Sequence, residues 1–183
     1  MIHMKILSFL PIVLLSYTTQ AQQYFTKNGR LSFFSKAMLE NIQADNNQVI
    51  SVLNTSTGEV QFSLLNNAFH FDKALMEEHF NADYMESDKY PKSTFKGTIS
   101  NPAAVNVAAD GAYPVSVTGD LSIHGVIQRV TVPATITVKG GKLSASSVFP
   151  IKPKDYKISI PATVRNNIAE TIQITVSCSY EKR

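Results

Sequence analysis

Cysteine is nearly missing from this sequence. Cys178 is the only one, so no disulfide can close within the chain and no cysteine pair is available for a metal. A domain of about 160 residues buries enough core to do without such staples. Cys178 shares the parity of Ile172, Ile174 and Val176 in an alternating segment, which marks it as a small buried hydrophobe rather than a nucleophile. Tryptophan is absent. A large charge of either sign is absent too: the net charge is +3, too weak to argue for nucleic acid or for strong adsorption to a membrane surface. Lys89, Lys92 and Lys96 lie close together with Tyr90 and Phe95 between them, but acids precede them directly, so a solvated face explains them best. No Gly-x-Ser-x-Gly elbow, glycine-rich phosphate loop, internal repeat or low-complexity tract occurs.

Long apolar runs are confined to the start. Lys5 precedes an apolar stretch over residues 6–15, too short to span a bilayer as a finished helix, and Thr19-Gln20-Ala21 follows it. This pattern predicts a secretory signal over residues 1–21, cut before Gln22, and one exported domain over residues 22–183, periplasmic or secreted. No cysteine stands at the cut, which argues against a lipid anchor.

What the chain does have is a period of two. Tyr113, Val115, Val117, Gly119, Leu121 and Ile123 alternate with polar residues. Val126, Val130, Val132, Ala134, Ile136 and Val138 continue on one parity, opposite Arg129, Thr131, Thr135 and Thr137. Residues 29–34, 48–53, 60–65, 93–99 and 168–180 read as strands, and 143–149 as a weaker one. Turns fall at 54–59, where Gly58 tolerates positive φ, at Gly140-Gly141 and at Asn166-Asn167. One segment resists: residues 72–80 begin with a capping-type Asp72 and place Leu75, Met76, His79 and Phe80 on one helical face. Pro91 then returns the chain to extended geometry. About eight antiparallel strands with one Ser/Thr-rich face predict a mainly β domain, a sandwich or a barrel, with one short helix.

Two stretches carry a resemblance to the YceI-like family. The first runs from His79-Phe80 through Asp83-Tyr84 to Lys89-Tyr90-Pro91 and Phe95. The second is Gly119-Asp120-Leu121-Ser122-Ile123-His124-Gly125-Val126, followed by Gln128-Arg129 where the family often has Thr-Lys. Asp155-Tyr156-Lys157-Ile158 is similar to a later family element. The resemblance implies an exported, extended, lipocalin-like antiparallel barrel that holds a long isoprenoid or similar lipid chain in its apolar interior, for transport, storage or sequestration, without catalysis or cofactor.

The apolar parities supply the expected lining: Phe33, Val60, Phe62, Leu64, Leu75, Met76, Phe95, Val117, Leu121, Val132, Ile136, Ile172, Ile174 and Val176, with His79, Tyr84 and His124 as polar residues at the barrel mouth. Met38, Met76 and Met85 are suited to a flexible ligand or to ordinary core. The competing picture is a solid interior in which these side chains pack on one another. Two other readings stay open. One is a metal-assisted hydrolase or isomerase using His79 and Asp83, with His70 as a further ligand; against it, no His-x-x-x-His or cysteine pair supports a zinc site. The other is an envelope interaction module that docks a protein through its Ser/Thr face. Asp120 and His124 lie about 13 Å apart along one strand and cannot touch there; Gly125 marks a turn or bulge that His124 orders. Pairing of two chains as a homodimer is compatible with the sequence and not required by it.

Overall fold

The structure, a computed structural model, describes residues 23–183. The expected signal segment lies outside the described residues. Nine strands form one antiparallel sheet: β1 (Gln23–Lys36), β2 (Asn41–Asn54), β3 (Glu59–Leu65), β4 (His70–Phe71), β5 (Lys92–Ile99), β6 (Gly111–Ile123), β7 (Val126–Lys139), β8 (Lys142–Ile151) and β9 (Ile172–Lys182). Their order is β1-β9-β8-β7-β6-β5-β3-β2, and β1 also pairs with β2, so eight strands close into a barrel. The two-residue β4 adds only to the start of β2, at Ala44 and Asp45. Closure leaves the eight barrel strands without a free edge. The expected barrel is the fold observed.

Turn chemistry sets the register. Gly58, at φ +76°, closes the β2–β3 hairpin. Asn54 Oδ1 accepts the backbone N–H groups of Ser56 and Thr57 there. Gly140 and Gly141, both at positive φ, make the two-residue turn between β7 and β8. Residues 124 and 125 make the equivalent turn between β6 and β7, with φ +50° at His124 and +72° at Gly125.

β1 and β2 run further than the pattern predicts, and β9 begins at Ile172 rather than at Ile168. Strand signals begin at Gly29 and at Gln48, whereas β1 begins at Gln23 and β2 at Asn41. A bulge interrupts each strand at that point, between Thr26 and Gly29 in β1 and opposite Leu31 in β2. One extra residue reverses which parity faces inward. Tyr24 and Thr26 are buried before the bulge and Gly29 after it; in β2 the buried set passes from Ala44 and Asn46 to Val49, Ser51 and Leu53.

The two ends of the barrel differ. One end carries the β2–β3 and β7–β8 hairpins and residues 100–110, and it is filled by side chains. Tyr24, Leu53, Val105, Leu143 and Tyr180 are all buried in its core. Tyr180 Oη and Ser51 Oγ share a hydrogen bond of 2.7 Å inside it. The other end carries the β1–β2 and β6–β7 turns and the two long connections, residues 66–91 and 152–171.

The helix lies in the first of these connections. α1 spans Ala74–His79 and continues as a wider turn over Phe80–Tyr84. Asp72 does not cap it: the N-cap residue is Lys73, with no side-chain capping bond. Tertiary contacts hold it instead. Phe80 inserts among Phe33, Phe69 and Phe71, with ring centroids 5.6, 5.4 and 5.1 Å away. Asn66 is fully buried at the start of the connection; its Nδ2 donates to Tyr90 O at 2.6 Å, and its Oδ1 accepts from Ser93 Oγ at 2.8 Å.

Candidate functional site: an apolar hollow in the barrel

Inward-facing side chains in a small barrel either fill it or surround a space. Here they surround one, a cavity of about 390 Å³. Its walls explain a feature of the burial pattern. Phe62, Phe95, Leu121, Ala134 and Phe149 line the hollow yet are only partly buried. Their uncovered surface faces empty space within the barrel. A volume of this size falls in the range of small-molecule sites, about 300–1,000 Å³.

Every apolar residue expected to line the barrel borders this cavity except Leu75. Phe33 comes from β1, and Val60, Phe62 and Leu64 from β3. β5 supplies Phe95, β6 Val117 and Leu121, and β7 Val132 and Ile136. Ile172, Ile174 and Val176 come from β9, and Met76 from α1. Leu75 is 61% exposed: the helix turns Met76 and Phe80 inward, and its neighbour points to solvent. His79 and Tyr84 border the cavity on the helix side. Burial raises the Tyr84 phenol above its ordinary value, with the nearby Asp83 charge adding to the shift.

His124 stands outside the cavity. Its side chain is 10% exposed, and its Nε2 lies 2.7 Å from Glu86 Oε2. Its Nδ1 lies 3.2 Å from the Tyr156 carbonyl oxygen. The Tyr90 ring meets the imidazole edge-on at 4.5 Å. A Cβ on Gly125 would lie 2.6 Å from that tyrosine ring. Glu86, Tyr90, His124 and the Tyr156 carbonyl, a part of each of the three family-like stretches, thus meet at one joint beside the mouth.

Several lining residues were not anticipated. Phe69, Phe71 and Phe80 form the aromatic collar where the cavity meets the helix. Ile158, Ile160, Val164 and Ile168 reach in from the 152–171 connection. Ile168 falls in the strand expected over 168–180; for the others the only sequence signal is the alternation of Ile158 and Ile160, too brief to indicate a strand.

The lining includes no lysine or arginine. Its polar members are largely engaged with the protein: Glu40 accepts Lys73 Nζ at 2.7 Å, and that hydrogen bond holds the Glu40 carboxyl below its ordinary value. The arrangement offers a ligand burial of apolar surface rather than counter-charge. The alternative His70/His79/Asp83 site is not assembled: among the described residues no group of three or more His, Cys, Asp or Glu side chains is placed to hold a metal ion. His70 Nδ1 instead lies 3.6 Å from Glu77 Oε2. Lys89 lies over the Tyr90 ring at 4.9 Å and 3.5 Å from Glu86, so the basic–aromatic cluster is partly spent within the joint.

Fold and hollow define a class: a closed eight-stranded antiparallel barrel with an apolar interior and a helix at its mouth. Within that class, the chain belongs to the YceI-like domain family, whose model matches residues 17–180. Among solved structures it is similar to a polyisoprenoid binding domain from Saccharophagus degradans, with 16% identity and a TM-score of 0.77, over 90% of this chain and 100% of that one. It is also similar to BcnA of Burkholderia cenocepacia, with 20% identity and a TM-score of 0.68, over 84% and 96% of the two chains. The YCEI protein of Campylobacter jejuni matches at 15% identity and a TM-score of 0.50, over 99% and 94%. Among curated proteins, none matches the chain.

Proposed function

We propose that this protein is an exported carrier or store for a long apolar chain of isoprenoid or fatty acyl type, binding by enclosure and without catalysis. The observation that carries this reading is the hollow itself. Its walls are almost wholly hydrocarbon, and apolar rings such as Phe62 and Phe95 stand partly uncovered inside it. Burying such surface against a ligand stabilises by roughly 0.8 kcal/mol per CH₂, so a chain of about 15 carbons has a gross gain on the order of 12 kcal/mol before ordering and association costs. The polyisoprenoid binding described for the Saccharophagus domain supports an isoprenoid-like ligand for this family member. Export is supported by the pattern of residues 1–21, and among the described residues no helix is long and apolar enough to cross a membrane.

The test is organic extraction of protein purified without detergent, followed by mass spectrometry of the organic phase. A reproducible hydrocarbon-chain species in near-stoichiometric amount is expected. Leu121→Arg places a charge in the hollow and is expected to abolish its recovery while circular dichroism stays β-rich. Repeated absence of any lipid, together with failure to take up added prenyl or acyl chains, would remove the carrier reading. Fractionation of expressing cells tests export.

A further inference from the structure

The most exposed large apolar side chains among the described residues are Met38 at 86%, Leu39 at 68%, Ile127 at 66% and Leu75 at 61%. All four belong to the end of the barrel where the cavity meets the helix. Met38 and Leu39 form the tip of the β1–β2 turn, Leu75 lies on α1, and Ile127 follows the β6–β7 turn. The filled end of the barrel carries no comparably exposed large apolar side chain among the described residues. The Met38-Leu39 tip is held in place. Ala37 N donates to Glu40 O at 3.2 Å, and Leu39 N donates to Asn166 O at 3.2 Å. Glu40 takes the ion pair from Lys73 at 2.7 Å. Exposed Lys36 and Arg165 flank the tip, through the chain itself and beside Asn166.

We infer that this end docks on a lipid bilayer, with Met38 and Leu39 entering the boundary between headgroups and acyl chains and the cavity mouth facing the membrane. The exposed side chains stand on three separate elements: the β1–β2 turn, α1 and the start of β7. A protein partner would need a continuous complementary face of about 1,000 Å² or more, whereas a fluid bilayer accepts separate points of insertion. Exposed Lys36 and Arg165 beside the tip offer charge to lipid phosphates, whereas Lys73 is already paired with Glu40. Asp72 and Glu78, exposed on the helix side, oppose a strong net attraction. Apolar insertion therefore leads, and anionic lipid adds modestly. The inference names the membrane as the partner of the proposed carrier and rests on that reading for its purpose. A chain that crosses water exposes each methylene in turn, and apposing mouth and membrane removes that exposure.

The sequence has no tryptophan, so Leu39→Trp gives a single indole reporter. With phosphatidylcholine vesicles, its fluorescence is expected to shift to the blue and to be quenched by brominated acyl chains. Ile50→Trp, on the barrel wall, is expected to show neither. Met38→Ser with Leu39→Ser is expected to lower vesicle flotation of the purified protein by about tenfold or more. Neither residue lines the cavity, so the double variant is expected to keep its extractable lipid. An unquenched indole in the Leu39→Trp protein, or unchanged flotation of the double variant, would overturn the docking. So would a concentration-dependent dimer abolished by the same substitutions, which would assign the tip to a second copy of the chain. Vesicle binding by a protein without extractable lipid would retire the carrier reading and leave the docking standing.

Discussion

His124 Nε2 lies 2.7 Å from Glu86 Oε2, and the Nδ1 of the same ring lies 3.2 Å from the Tyr156 carbonyl oxygen. One imidazole thereby joins the β6–β7 turn to both long connections at the mouth. The joint coincides with backbone strain. Glu86, His124 and Lys157 have φ of 44°, 50° and 57°, and they are the only non-glycine residues at positive φ among the described residues. Each such residue costs about 1–3 kcal/mol, which the bridging contacts offset. A backbone carbonyl only accepts, so Nδ1 carries a proton.

Glu86 gives the joint a pH dependence of definite sign. The hydrogen bond from His124 holds its carboxyl below the ordinary value of 4.5, Lys89 adds to the effect and burial opposes it. A carboxyl lowered in the folded state binds fewer protons folded than unfolded. Its contribution is complete above about pH 4.5 and is lost as pH falls through the lower folded value. Urea midpoints of the wild type are expected to exceed those of Glu86→Gln near neutrality, and the gap is expected to close in acid. A gap that persists undiminished at about pH 3 would contradict this account.

Gly119 belongs to the barrel wall. It pairs with Gly97 across β5 and β6. A Cβ on Gly119 would approach Phe95 Cζ to 2.7 Å and strike the Lys96 carbonyl oxygen. The glycine pair leaves a shelf on which the Phe95 ring lies inside the cavity. The ring can swing away but the carbonyl cannot. Gly119→Ala is therefore expected to cost roughly 2–4 kcal/mol in urea unfolding. Gly140→Ala, at φ +56° with nothing within 4 Å, is expected to cost only about 1 kcal/mol.

How far the fold was legible follows from where the period of two stays intact. β6, β7 and β9 keep one parity inward and could be read almost whole. β1 and β2 could be read only from Gly29 and Gln48, because the bulges reverse the parity there and the preceding halves offer few apolar residues. The cavity walls were legible because strand alternation names the inward face. Leu75 was misplaced because a helix of six residues gives too short a period to fix which side turns in. His124 was seen as ordering a turn, and its partners Glu86 and Tyr156, distant in sequence, were not. Side-chain contacts between connections leave no periodic trace.

Cys178 is 1% exposed, and burial pushes its thiol up to about 11. A Cβ on Gly29 would lie 2.6 Å from its Sγ, so the sulfur is packed against the bulge of β1. The thiolate is the reactive form. Ellman's reagent is therefore expected to leave the native protein unlabelled and to label it fully in denaturant. Labelling of the native protein at the rate of a free thiol would show that the wall opens there.

Ala145 separates a hollow barrel from a packed one. It pairs with Ile136 on one side and Cys178 on the other, and its methyl group borders the cavity. In a close-packed interior, Ala145→Leu would force neighbours aside and cost about 1–3 kcal/mol. In this barrel the added carbons enter empty apolar space. Ligand-free protein is therefore expected to gain about 0.5–2 kcal/mol in urea unfolding. The same substitution takes volume from the ligand, so recovered lipid is expected to fall. Stability and lipid content must move in opposite directions; a stability loss in ligand-free Ala145→Leu would mean that the interior has no room for a chain.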